Sequence, residues 1–253
     1  MAMSKTLLAR SLSTLLPART SSLFAFAQRP TPISPEQITD RTHLLNYLIW
    51  RYGYRRYLEI GVRHPRDNFR QIRAKHKWGV DPNPRRRISH AMSSDRFFEE
   101  MSRQKKRPSF DLIFIDGLHL AEQVEKDVDN ALRFLSPRGA IVLHDVNPLS
   151  EEAQSVDYDG KKTWNGTVWK AWVRFRVYRP DLSMWVLDMD HGCGVICRGR
   201  QTCLDIDVDD YGSMSYADLE SQRERWLNLI DVESFLPAFE QRFLSSGSGG
   251  GPP

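Results

Sequence analysis

Four short apolar runs punctuate this chain, and each ends at or beside an acid or a histidine. They are Tyr57-Leu58-Glu59-Ile60, Trp78-Gly79-Val80-Asp81, Phe110 to Asp116 and Ala140 to Asp145. Runs this short and this apolar read as strands covered on both faces. Between them the apolar positions recur at helical spacing. A first helix is predicted from Ser34 to about Tyr52, with a serine cap, Pro35 in the first turn and Gly53 as its stop. Strand Arg55–Ile60 follows, then a crossover helix Asp67–Lys75 with Phe69 and Ile72 inward, and strand His76–Asp81. A short strand is expected at Arg87–His90, and Ser94-Asp95 opens a helix carrying Phe97, Phe98 and Met101. Strand Phe110–Asp116 leads into helix Ala121–Leu135, whose stripe is Val124, Val128, Ala131, Leu132 and Leu135. Pro137-Arg138-Gly139 turns the chain into strand Ala140–Leu143.

Residues 146–163 are polar and irregular and read as a mobile loop beside the strand ends. A helix starting at Asn165 or Thr167 runs through Trp169, Trp172, Val173 and Val177 to Pro180. Leu182–Leu187 and Cys193–Cys197 form a hairpin around a turn at Asp190-His191-Gly192. Helices Ser215–Leu229 and Val232–Leu244 close the chain. Five parallel strands and an antiparallel pair predict an α/β architecture: a Rossmann-like, doubly wound, mostly parallel seven-stranded sheet, with an antiparallel C-terminal hairpin and helices on both faces. The domain spans 34–244, between a leader at 1–33 and a flexible tail at 245–253.

The formal charge of +4 comes from the leader, which holds Lys5, Arg10, Arg19 and Arg29 and no acid. Without residues 1–35 the chain carries 32 basic and 32 acidic residues. The clusters Arg85-Arg86-Arg87 and Lys105-Lys106-Arg107 lack interleaved aromatics and read as a solvated rim, so nucleic acid is not the expected partner. The leader is rich in Ser, Leu, Ala and Arg and predicts import into the mitochondrion first and the plastid second. No apolar run reaches the 18 residues of a membrane span. Cys193 and Cys197 stand about 13 Å apart on a strand at ~3.3 Å per residue, beyond disulfide reach.

Parallel strands that end on acids present them at the crevice where α/β sheets bind ligands. Glu59 and Asp81 follow the spacing of a nucleotide-binding βαβ unit, with Gly61 at the turn. The sequence after Gly61 holds neither further glycine of Gly-x-Gly-x-x-Gly, so no backbone cradle for a pyrophosphate is expected. A ligand with a ribose and a cation but no phosphate fits one glycine and two carboxylates, and S-adenosylmethionine (SAM) answers that description.

Five segments carry a resemblance: Tyr57 to Val62, Gly79-Val80-Asp81-Pro82, Ser94 to Phe98, Phe110 to His119 and Val142 to Asp145. Together they resemble the serial motifs of class I SAM-dependent methyltransferases, in particular the small-molecule and sugar O-methyltransferases of the Methyltransferase-24 kind. The resemblance spans about residues 40–200. It implies that Glu59, Gly61 and Asp81 bind methionine and ribose, that Ser94 or Asp95 lies near adenine, and that Asp116 sits beside the sulfonium. Asn68 is a further candidate at the methionine-binding turn. Macrocin- and mycinamicin-like enzymes carry a similar Asp-x-x-His. That similarity makes His119 the candidate base, with His144 a second catalytic candidate, and makes Asp116 and Asp145 candidate ligands of Mg²⁺.

Three functions follow as expectations. The first is methyl transfer to a small-molecule acceptor, at a hydroxyl. The second is a catalytically degenerate methyltransferase-like subunit of an organellar complex, suggested by the missing glycines. The third is an RNA methyltransferase, suggested by the basic clusters. A homodimer or an organellar complex is the expected assembly.

Overall fold

The computed structural model describes residues 33–157 and 163–245. The leader (apart from Ile33), residues 158–162 of the expected loop, and the tail after Ser245 lie outside the described residues. In chain order the elements are α1 (Arg41–Tyr52), β1 (Arg56–Ile60), β2 (His76–Val80), α2 (Ser94–Ser102), β3 (Phe110–Ile115), α3 (Ala121–Phe134) and β4 (Leu135–Leu143), then α4 (Val168–Tyr178), β5 (Leu182–Leu187), β6 (Cys193–Arg198), α5 (Tyr216–Leu227), β7 (Leu229–Ile230) and α6 (Val232–Ser245). No described helix is long and apolar enough to cross a membrane.

The seven strands form one sheet in the order β2-β1-β3-β4-β6-β5-β7. All run parallel except β6, which is antiparallel to both β4 and β5. The sheet separates two cores. One holds α2, α3, α4 and α5 with Trp169 and Trp172 at its centre, and the other holds α1 and α6 with Tyr57, Phe114, Phe235 and Phe239. The alternation of side chains along β3 explains the division: Ile113 and Ile115 face the first core, Leu112 and Phe114 the second. Full burial of such side chains contributes about 1.5–3 kcal/mol each.

Several expectations are corrected. The first helix starts at Arg41 and is capped by Asp40, with only a short 3-10 turn at Pro35–Gln37, and the predicted turn Pro137-Arg138-Gly139 lies within β4. The β1–β2 crossover has no helix at 67–75; it is a series of turns, and Asn46 of α1 bonds it by accepting from Arg73 N and donating to Gln71 O. Lys77 donates to the carbonyls of Phe69 and Ile72, and Gln71 to those of Arg66 and Asp67. Side chains thus take the carbonyls a helix would use, and nearby Pro65 has no N–H to give. The strand at 87–90 shrinks to a single bridge between Val80 and His90, because the Ser89 hydroxyl bonds both N and O of Gly79. The seventh strand is instead Leu229–Ile230, beside β5. It starts after Asn228, which ends α5 at φ 51° and bonds Met184 O.

Candidate active site

The carboxyl ends of β1, β2 and β3 open into one cleft of about 590 Å³, within the size range of small-molecule sites. All seven residues named from the sequence for the ligand line it: Glu59, Gly61, Asn68, Asp81, Ser94, Asp95 and Asp116. His119 lines it as well, whereas His144 and Asp145 do not. Arg41, Gln123, Asp127 and Trp164 also face the cleft. Sequence reasoning passed over Arg41, Gln123 and Asp127, and of these only Gln123 and Asp127 left a trace, as a polar pair four residues apart on α3.

Strand alternation puts Tyr57 and Glu59 on one face of β1. Tyr57 donates to Glu59 Oε2 at 2.5 Å and Asn68 Nδ2 donates to the same oxygen at 2.9 Å. Thr42 of α1 in turn donates to Asn68 Oδ1 at 2.8 Å. Among the described residues Glu59 has no cationic partner. Burial therefore raises its pKa to about 8; the Tyr57 and Asn68 hydrogen bonds work against the shift, and the charge of Asp116 adds to it.

Gly61 sits at φ +96°, and a Cβ there would fall 1.9 Å from the carbonyl oxygen of Asp116. The ends of β1 and β3 approach so closely that only glycine fits. Strand packing is by itself a reason for glycine here, in addition to its place in the cleft lining.

Toward the other end of the cleft, Asp81 Oδ1 accepts from Asn83 N at 2.7 Å. Gln123 Nε2 donates to Ser94 Oγ, Asp95 Oδ1 and Asp127 Oδ1. Burial raises the Asp127 carboxyl to about 6, against the pull of the Ser94 and Gln123 bonds.

The ends of β3 and β4 are built differently, with charges interleaved. His119 Nε2 lies 3.2 Å from Asp116 Oδ1 and 3.5 Å from Asp145 Oδ2. His144 Nδ1 lies 2.8 Å from Asp145 and 3.4 Å from Asp116, and its Nε2 is 3.5 Å from Asp190. Burial opposes charge on both imidazoles, but their hydrogen bonds to Asp116, and to Asp145 and Asp190 at His144, outweigh it, and both pKa values rise. The same contacts hold Asp116 and Asp190 well below the usual carboxylate range despite burial.

Long-range contacts fix this cluster. His119 Nδ1 is 3.2 Å from the Trp164 carbonyl, and its ring stacks on the Trp164 indole at 4.9 Å. A Cβ on Gly166, at φ +59°, would sit 2.1 Å from the His119 carbonyl, so the segment 164–166 presses directly on the His119 loop. Thr167 Oγ1 accepts from Ala121 N and caps α3. Asn165 Nδ2 donates to Asp145 Oδ1 at 3.2 Å. The expected turn Asp190-His191-Gly192 forms, and it also delivers Asp190 to the site. Its three residues have φ of 45°, 63° and 89°, and Asp145 has φ 61°; non-glycine residues with such values concentrate at functional sites. The expected thiols are free, and burial pushes Cys193 up to about 12.

Asp116, His144 and Asp145 bring one ligand atom each to within 4.8 Å of one another. Two carboxylates and an imidazole suit a divalent cation. His144 Nδ1 stands between both carboxylates, so the imidazole protons act as their counter-charge, and a cation bound there would take the place of those protons.

Comparison with known proteins agrees with this architecture. Residues 21–146 match the family described as Methyltransferase domain, of the Methyltransferase-24 type. An uncharacterised protein of Sinorhizobium fredii is 28% identical over 93 residues, which span 37% of this chain and only 8% of that protein. The O-methyltransferase from Bacillus cereus, solved with S-adenosylhomocysteine, shares 17% identity over 60% of this chain and 77% of its own, with a TM-score of 0.41. The O-methyltransferase TomG from Streptomyces achromogenes, solved with SAM, shares 16% identity over 61% and 78% of the two chains at a TM-score of 0.44. Likenesses as loose as these two carry no weight for chemistry. By the match over residues 21–146 and its sheet with acids at the strand ends, the chain carries a methyltransferase domain of the class I SAM-dependent kind.

Proposed function

We propose that this chain moves the methyl group of SAM to a hydroxyl of a small-molecule acceptor. The observation that carries the reading is Glu59: a buried carboxylate without a cationic partner, in a cleft that also offers Asp81. SAM supplies what is missing, an α-ammonium for Glu59 and ribose hydroxyls for Asp81. Ser94, Asp95, Gln123 and Asp127 surround the end left for adenine.

Methyl transfer is a direct displacement that needs alignment and a proton acceptor. The C–O bond forms as the C–S bond breaks, the electron pair stays on sulfur, and the hydroxyl proton goes to His119. His119 serves as base in its neutral form, populated above its raised pKa: the Trp164 carbonyl holds the remaining proton on Nδ1, and Nε2 is free to accept. His144 lies outside the cleft lining and serves by holding Asp116 and Asp145 in position. Asp116 and Asp145 would hold a divalent cation, which would polarise the acceptor oxygen. The acid-free leader supports action inside an organelle, the mitochondrion before the plastid.

The test is a thermal-shift titration with SAM. The wild type melts higher as SAM rises, and Asp81→Ala removes the shift. No shift of the wild type at millimolar SAM sinks the reading.

A further inference from the structure

A methionine portion carries two charges, and Glu59 answers one of them. Four basic residues, Arg41, Arg63, His64 and His119, line the cleft. His119 is held by Asp116 and the Trp164 carbonyl. His64 stands 3.5 Å from Asp67. Arg63 is exposed, and its carbonyl accepts from Arg85 N on the loop after Asp81. Arg41 differs from all three. Its Nη1 donates to both oxygens of Asp190, at 3.1 and 3.0 Å, and lies 3.3 Å from His144 Nε2. Its Nε is buried without a hydrogen-bond partner among the described residues. Its Nη2 has none either. A guanidinium offers five N–H groups in a planar fork that matches a carboxylate, and most of this fork is unused.

The position fits as well. Thr42, the next residue, bonds Asn68, and Asn68 bonds Glu59 Oε2. Arg41 therefore stands beside the chain of hydrogen bonds that holds the ammonium receptor, and its charge reaches far enough to pull on the Glu59 carboxyl. The left-handed turn Asp190-His191-Gly192 also gains a purpose, because it aims Asp190 at Nη1 of Arg41, and among the described residues no hydrogen bond engages Nη2.

We propose that Arg41 receives the α-carboxylate of the methyl donor on its Nη2 edge, so that Arg41 and Glu59 together read the amino-acid end of the ligand. This rests on the reading of the cleft as a SAM site. A purely structural alternative exists, in which Arg41 only ties α1 to the β5–β6 turn through Asp190.

Calorimetric titration with SAM and with decarboxylated SAM separates the two. The second ligand keeps sulfonium and ammonium and lacks only the carboxylate. Arg41→Gln is expected to weaken SAM by roughly 10- to 100-fold, the size of a charged hydrogen bond, and decarboxylated SAM by less than about 3-fold. Arg41→Lys, which keeps the charge without the fork, should fall between wild type and Arg41→Gln with the same selectivity for SAM. Equal losses for both ligands, or no loss for either, overturn the proposal, and Arg41→Lys decides by the same criterion if Arg41→Gln does not fold. Failure of the wild type to bind either ligand removes the cleft reading and this inference together. Normal wild-type binding with unselective variants removes the inference alone.

Discussion

The two halves of the cleft use the same functional group, a buried carboxyl, in opposite electrostatic states. Glu59, at the end of β1, is buried with two neutral donors, and its pKa climbs to about 8. Asp116, at the end of the adjacent β3, is buried too, but two imidazoles bond it and its pKa falls. Burial alone does not decide which way a carboxylate shifts; the partner does. The β1 half holds a carboxyl that stays largely protonated at neutral pH until a cationic ligand stabilises its ionised form, whereas the β3–β4 half has completed its own charges. A cationic methyl donor is drawn to the first half, and the second half holds a base and its supports ready.

The contrast can be broken most forcefully at His119. His119→Ala should lower turnover by about 10²- to 10⁴-fold, the usual worth of a positioned base, while calorimetric SAM affinity stays near wild type. Unchanged turnover would remove its role. Because the His119 pKa is raised, the acidic limb of kcat/KM should fall above the ordinary histidine value of ~6.5.

Glu59→Gln sharpens the contrast from the other side. It should weaken SAM by roughly 10- to 100-fold, since the ammonium loses its counter-ion. It should also stabilise the unliganded protein at alkaline pH. A carboxyl raised from 4.5 to about 8 on folding binds its proton more tightly in the native state, so its unfavourable effect grows as pH rises from ~4.5 and is complete above ~8. Melting curves of the variant and wild type should therefore coincide near pH 4.5 and diverge by pH 8.5, with the variant higher. A variant that melts lower throughout would mean that Glu59 is already compensated.

His144→Leu should cost about 3–5 kcal/mol in denaturant unfolding at neutral pH, because it leaves Asp116, Asp145 and Asp190 short of a counter-charge. The raised His144 pKa contributes stability that is fully present below ~6.5 and lost as pH rises through the folded value. The gap between variant and wild type should thus narrow in alkali. Asn165→Ala, which loses one hydrogen bond to Asp145 and one to the His191 carbonyl, should cost only about 1–3 kcal/mol. A loss as large as that of His144→Leu would mean that Asn165, and not the imidazole, holds Asp145.

Much of this was legible in the chain itself. Local pattern determined the strands through Tyr57, Trp78, Phe110 and Ile141, the helices with clear apolar stripes, and the acids at the strand ends, because each rests on neighbours within a few residues. Since parallel strands bring their carboxyl ends to one edge, Glu59, Asp81 and Asp116 were bound to meet once the strands were known. Only the tertiary structure decided the rest. The crossover after β1 lost its helix to side chains from α1 and β2, and a strand expected at Arg87–His90 gave way to a serine hydroxyl. Arg41, Trp164, Asn165 and Asp190 reach the site across gaps of 20 to 149 residues to their partners, and no periodicity encodes such contacts. The sign of each pKa shift was hidden for the same reason: Glu59 and Asp116 look alike in sequence, and the groups that separate them come from elsewhere in the fold.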